Sequence, residues 1–145
     1  MEIAITSDHG GLELKNKIVE YYKNTYNIHD LGVFSNLSVD YPDVAKNLYE
    51  NIIANNYDFS IAICGTGIGI SIALNKFNGI RCALVYQKEV ARLAKEHNNA
   101  NVIALGGRFM SINLAISMID EFINSKYDDR HEKRIDKIKK IEEEC

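Results

Sequence analysis

Five short apolar runs punctuate this chain, and each is separated from the next by a stretch with helical spacing. The runs are Glu2–Thr6, Asn27–Leu31, Phe59–Ile63, Ile80–Val85 and Asn101–Leu105. Between them, Leu12–Tyr22 places Leu14, Ile18 and Tyr21/Tyr22 on one side. Pro42 suits the first turn of a second helix, which Val44, Ala45, Leu48, Ile52 and Ile53 continue. Further helices are expected over Ile70–Phe77, Lys88–His97, Ile112–Phe122 and residues 131–144. Strand–helix alternation of this kind predicts an α/β fold. The expected architecture is a three-layer α/β/α, Rossmann-like arrangement around a five-stranded parallel sheet, with right-handed crossovers.

Ligands of such sheets bind outside the C-terminal ends of the strands. The polar punctuation of the chain obeys that rule. Asp8 and His9 follow the first strand, Cys64 to Gly69 the third, and Gly106, Gly107 and Arg108 the fifth. The 145 residues suit one domain over 1–145, with no internal repeat or low-complexity segment. A net charge of −3 offers no global basic field for nucleic acid, and no apolar run approaches the ~20 residues of a membrane span. Met1-Glu-Ile-Ala-Ile enters a strand pattern at once, without the basic start of a signal peptide. Cys64, Cys82 and Cys145 are odd in number and widely spaced, which predicts reduced thiols in the cytoplasm rather than a disulfide framework or a zinc site.

The most specific stretch is Ser60-Ile-Ala-Ile-Cys64-Gly-Thr-Gly-Ile-Gly69. A thiol ends an apolar strand and three glycines follow in five residues. Loop N–H groups and a helix start converge there, a setting that favours anionic oxygen or a thiolate. Familiar glycine motifs fail on spacing. A dinucleotide fingerprint requires its third glycine one residue later than Gly69, and a P-loop requires Gly-Lys where Ile70-Ser71 stands. A thiol phosphatase signature, C-x5-R, requires arginine at Ile70. A core cysteine before a tight turn is the plain alternative, since free cysteine is among the most buried residue types. The glycine density argues instead for backbone that something approaches closely.

Other candidates are weaker in isolation. Asp8-His9-Gly10-Gly11 reads equally as a capped turn and as a functional segment. Asp40-Tyr41-Pro42 reads first as a helix start. His97-Asn98 ends a helix, where a histidine complements the dipole or, near neutral pH, moves protons. Arg130 and Arg134 are four apart, and Lys126 to Lys140 carries seven Lys/Arg against four Asp/Glu. That run reads as a solvated face or as a phosphate grip.

Taken together, these residues resemble ribose-5-phosphate isomerase type B over nearly the whole chain, Ile3 to about Ile141. The marks are Ser7-Asp8-His9, Asp40-Tyr41-Pro42, Ile63-Cys64-Gly-Thr-Gly-Ile-Gly-Ile70 with Asn75-Lys76, and Gly79-Ile-Arg81. His97-Asn98, Asn101-Val102, Gly106-x-Arg108 and Tyr127-x-x-x-Arg130-His-x-x-Arg134 follow. The resemblance implies interconversion of D-ribose 5-phosphate and D-ribulose 5-phosphate through an enediolate, in the non-oxidative branch of the pentose phosphate pathway, without cofactor or metal. It implies that Cys64 is the base and that His97 opens the furanose ring, with Thr66 or Asp8 assisting. Gly65, Thr66, Gly67, Ile68 and Gly69 would face the enediolate oxygen. Asp8, His9, Tyr41 and Asn98 would contact the sugar. His9, Arg108, Arg130 and Arg134 would hold the phosphate, the last helix (about 131–144) carrying the arginines. It also implies a homodimer or tetramer whose site is shared between subunits, so that His97 serves the partner's Cys64.

Subunits of galactose-6-phosphate isomerase share this pattern but do not keep the cysteine, the histidine and both late arginines in one chain. Two rival readings stay open from the residues: a six-carbon sugar 6-phosphate of allose or galactose type as substrate, and a non-catalytic module that binds a phosphorylated ligand. The second rival does not call for a thiol at the turn.

Overall fold

A computed structural model of the chain describes residues 1–145. Strands β1 (Glu2–Ser7), β2 (Asn27–Asp30), β3 (Phe59–Cys64), β4 (Cys82–Leu84) and β5 (Val102–Gly106) form one parallel sheet in the order β2-β1-β3-β5-β4. Helices α1 (Leu12–Tyr22), α2 (Tyr41–Ala54), α3 (Ile68–Leu74), α4 (Lys88–Glu96), α5 (Ile112–Asn124) and α6 (Glu132–Glu144) alternate with and follow them. Single 3-10 turns at His9–Gly11 and Asp129–His131 lead into α1 and α6. The expected α/β/α architecture is present.

Element boundaries differ from expectation where side chains capture the backbone. Gly67 has φ +80, a left-handed conformation that turns β3 straight into a helix, so α3 begins at Ile68 rather than Ile70. Asn75 ends α3 early. Its side chain donates to the carbonyls of Ser71 and Cys82 and accepts from the Cys82 N–H, supplying the edge strand with a partner. The N–H of Arg81 donates to the Asn101 side chain instead of a ladder carbonyl, which keeps β4 to three residues. Arg130 lies in the 3-10 turn that precedes α6, not in the helix itself.

Alternation along the central strands sorts two unlike cores. Ile3, Ile5, Ile61, Ile63, Ile103 and Leu105 face α1, α4 and α5, where Leu14, Ile18, Ile119 and Phe122 meet them. Ala4, Ala62, Cys64, Val102 and Ala104 face α2 and α3, with Val44, Leu48, Ile70 and Leu74 opposite. Each large side chain taken fully from water contributes ~1.5–3 kcal/mol, so the isoleucine face supplies most of the burial. The alanine face lets its helices approach closely, and Cys64 ends that face. Because every strand pair is parallel, the C-terminal ends of β1, β3 and β5 share one rim. Each crossover helix returns the chain to the opposite rim.

Candidate active site

Three turns interlock at the C-terminal rim. Asp8 Oδ1 accepts from the N–H groups of Gly10 (2.8 Å) and Gly11 (3.2 Å), closing the first turn. The N–H of Gly107 donates to the Cys64 carbonyl at 2.8 Å and that of Arg108 to the Gly65 carbonyl at 3.0 Å. The turns touch backbone to backbone: a Cβ on Gly107 would sit 2.7 Å from the Gly10 carbonyl oxygen. Side chains at these positions would drive the turns apart.

Cys64 stands at the centre of this arrangement, 4 % exposed, and its Sγ accepts the Gly67 N–H at 3.1 Å. A donor aimed at sulfur supports negative charge there. Thr66 is exposed, and its Oγ1 accepts the Ile68 N–H at 3.1 Å. The Arg108 guanidinium lies against Gly65, where a Cβ would meet Nη1 at 2.9 Å, and the Tyr41 ring covers Gly69 at a similar separation. His9 Nδ1 accepts the Val39 N–H at 3.3 Å, which ties the loop after β2 to the rim and leaves Nε2 to carry the proton of the neutral ring. Beneath that loop, Lys15 is fully buried and grips both oxygens of Asp30 at 2.6 and 2.7 Å. Asp30 in turn accepts the Gly32 N–H at 3.0 Å.

The remaining candidates form a second cluster. His97 is the C-cap of α4, the helix that carries the chain from the end of β4 back to the start of β5. It therefore lies at the opposite rim from Cys64. Its ring packs against that of His131 in a tilted pair, centroids 4.3 Å apart and planes 33° apart. Arg134 Nη1 donates to His131 Nδ1 at 2.8 Å. Burial, followed by the nearby His97, Arg130 and Arg134, holds His131 below the usual histidine range. Asp128 accepts from Arg130 Nε at 2.7 Å, and its own N–H donates to the Glu96 carbonyl at 2.9 Å, joining the turn to α4. Arg130, Lys133, Arg134 and Lys137 surround a hollow of about 270 Å³ with no acidic lining, suited to a phosphate.

The structure thus brings Asp8, His9, Tyr41, Cys64 to Gly69 and Arg108 together on one rim, and His97, Asn98, Arg130 and Arg134 at the other. Within one copy the two groups do not meet. Sequence reasoning assigned no role to His131 or to the Lys15–Asp30 pair. The spacing of His131 to Arg134, three residues across a helix start, was the available signal for the first. No group of three or more His, Cys, Asp or Glu side chains is close enough to hold a metal ion, and no helix is long and apolar enough to cross a membrane.

Residues 3–138 match the family described as Ribose/Galactose Isomerase. The ribose 5-phosphate isomerase of Thermotoga maritima superposes with a TM-score of 0.92 at 46% identity, over 96% of this chain and 97% of that one. Ribose-5-phosphate isomerase B of Mycoplasma genitalium, crystallised with bound ribulose-5-phosphate, gives 0.88 at 40% identity over 99% and 97%. Ribose-5-phosphate isomerase B of Escherichia coli is 37% identical over 98% of this chain and 97% of its own length.

Proposed function

The chain belongs to the Ribose/Galactose Isomerase family, and we infer that it is an aldose–ketose isomerase interconverting D-ribose 5-phosphate and D-ribulose 5-phosphate. Relatives with that name match it over 97% of their own length. One observation carries the chemistry: a thiol, buried to 4 %, ends β3 with a loop N–H 3.1 Å from its sulfur.

In this reading Cys64 takes the proton from C2 of the open-chain aldose and returns it to C1. Negative charge then develops on the enediolate oxygen, and the loop amides from Gly65 to Gly69 stabilise it. Loss of one such donor costs ~3 kcal/mol in other enzymes. His97 donates a proton to the ring oxygen as the furanose opens, a service worth ~10²–10⁴ in rate. Thr66 or Asp8 assists. Asp8, His9, Tyr41 and Asn98 orient the sugar. Arg108, Arg130 and Arg134, with His9, hold the phosphate and supply remote binding energy.

The two clusters lie on opposite rims, so this division of roles requires two copies of the chain. The site is then shared, with Cys64 of one subunit facing His97 and Arg134 of the other in a two-fold dimer. Exposed Ile68, Ile72, Tyr86, Ile138 and Ile141 provide apolar surface for that assembly. A reduced thiol and a phosphorylated substrate support a cytoplasmic location.

A coupled assay of ribose 5-phosphate, before and after iodoacetamide, tests the reading. Turnover that alkylation abolishes is expected. Turnover that survives full alkylation of Cys64 removes the base. Higher kcat/KM on allose 6-phosphate or galactose 6-phosphate would move the substrate to six carbons.

A further inference from the structure

We propose that His131 is a positioning residue that sets the acid–base group and the phosphate grip together, holding Arg134 through Nδ1 and His97 through its ring face. The inference rests on the roles given above to His97 and Arg134.

His131 sits in the 3-10 turn Asp129–His131 and is 8 % exposed. A guanidinium has only donors, so the 2.8 Å contact from Arg134 Nη1 requires a lone pair on Nδ1. An imidazolium has none. The contact therefore exists only with the neutral ring protonated on Nε2, an atom that is buried and has no partner within the chain. The charged or titratable groups facing the ring are His97 from the end of α4, Asp128 and Arg130 from the turn, and Arg134 from α6; the cations and burial oppose a charge on His131.

A neutral His131 performs two tasks that a charged one could not. It accepts from Arg134, which turns a flexible guanidinium into a fixed one. It also presents an uncharged ring to His97, 4.3 Å away between centroids, and so adds no positive charge beside the residue that the proposed function makes the acid–base group. The adjoining ring restricts rotation of a side chain that stands past the last residue of its helix. Acid–base geometry and phosphate geometry are thereby coupled through one ring.

Two substitutions separate the tasks. His131→Asn keeps an acceptor near the Nδ1 position and removes the ring. His131→Phe keeps a ring and removes the acceptor. In His131→Phe, KM for ribose 5-phosphate should rise about tenfold with kcat within about twofold, the loss expected of one charge-assisted hydrogen bond. In His131→Asn, kcat should fall about tenfold with KM within about twofold, as His97 loses its orientation. Proportional losses in both variants, tracking a fall in Tm, would make His131 a packing residue and overturn the proposal. Nitrogen-15 NMR of the wild-type histidines needs no variant. An Nε2–H tautomer for His131 at neutral pH is expected, and an imidazolium or an Nδ1–H tautomer would overturn it. His97→Asn and Arg134→Ala serve as controls. If neither affects turnover or KM, the roles of those two residues fail. If both act as expected and the His131 pair shows no split, only the positioning role fails.

Discussion

At the C-terminal rim, Cys64 is held by main chain: a strand in the middle of the sheet, a left-handed glycine, and turns bonded through their peptide groups. At the opposite rim, His97 and Arg134 are held by side chains on helix ends, with the His131 imidazole between them. The first region is rigid because moving the sulfur means distorting the sheet. The second depends on rotamers and on charge. A proton transfer between adjacent carbons tolerates little displacement of its base, and the proposed mechanism assigns it to the stiffest part of the fold. The same proposal gives ring opening and phosphate binding to groups that a second subunit would bring to the site.

That contrast can be broken at several points. Cys64→Ala should lower kcat at least ~10³-fold, since alanine leaves nothing at the strand end to take the proton from C2, while phosphate binding and the fold persist. A kcat near wild type would end the assignment. Gly67→Ala should be nearly as harmful, because a methyl group at φ +80 would also lie 2.7 Å from Leu84 and near the Leu105 backbone. Moving that turn shifts the N–H off the sulfur. A loss of ~10²-fold in kcat with a lower Tm is expected, and unchanged kinetics would show that the amide is not needed. Arg134→Ala should act chiefly on KM, raising it about tenfold or more, with kcat close to wild type. An unchanged KM would remove Arg134 from the phosphate grip.

The smallest effect concerns pH. His131 in the folded chain titrates below its unfolded value of ~6.5, so the unfolded chain binds more protons as pH falls through that range. The stability it leaves intact is complete above ~6.5 and declines below. Thermal melts between about pH 7.5 and 5.5 should show a smaller drop for His131→Asn than for wild type. Equal drops would mean that His131 does not stay neutral.

Much of this was legible in the sequence. Strand–helix alternation implies the sheet, and the thiol followed by alternating glycines marks the rim at Cys64. The pairing of Asp8 with its two glycines was readable as a turn. Less accessible was the burial of His131. A histidine between Arg130 and Lys133 reads as part of a solvated charged face, and only tertiary packing reveals otherwise. Lys15 is a similar case. A lysine in a helix with polar neighbours reads as exposed, yet it is fully buried against Asp30 from a different element. The separation of His97 from Cys64 follows from topology, because the end of a crossover helix lies at the rim opposite the strand ends.

Mixing two inactive variants tests the shared site most directly. Cys64→Ala and His97→Asn are co-refolded so that subunits exchange. Each mixed dimer then holds one site with both groups intact and one with neither. Random exchange should recover about a quarter of wild-type activity. A mixture no more active than its separate components would contradict a site built from two subunits.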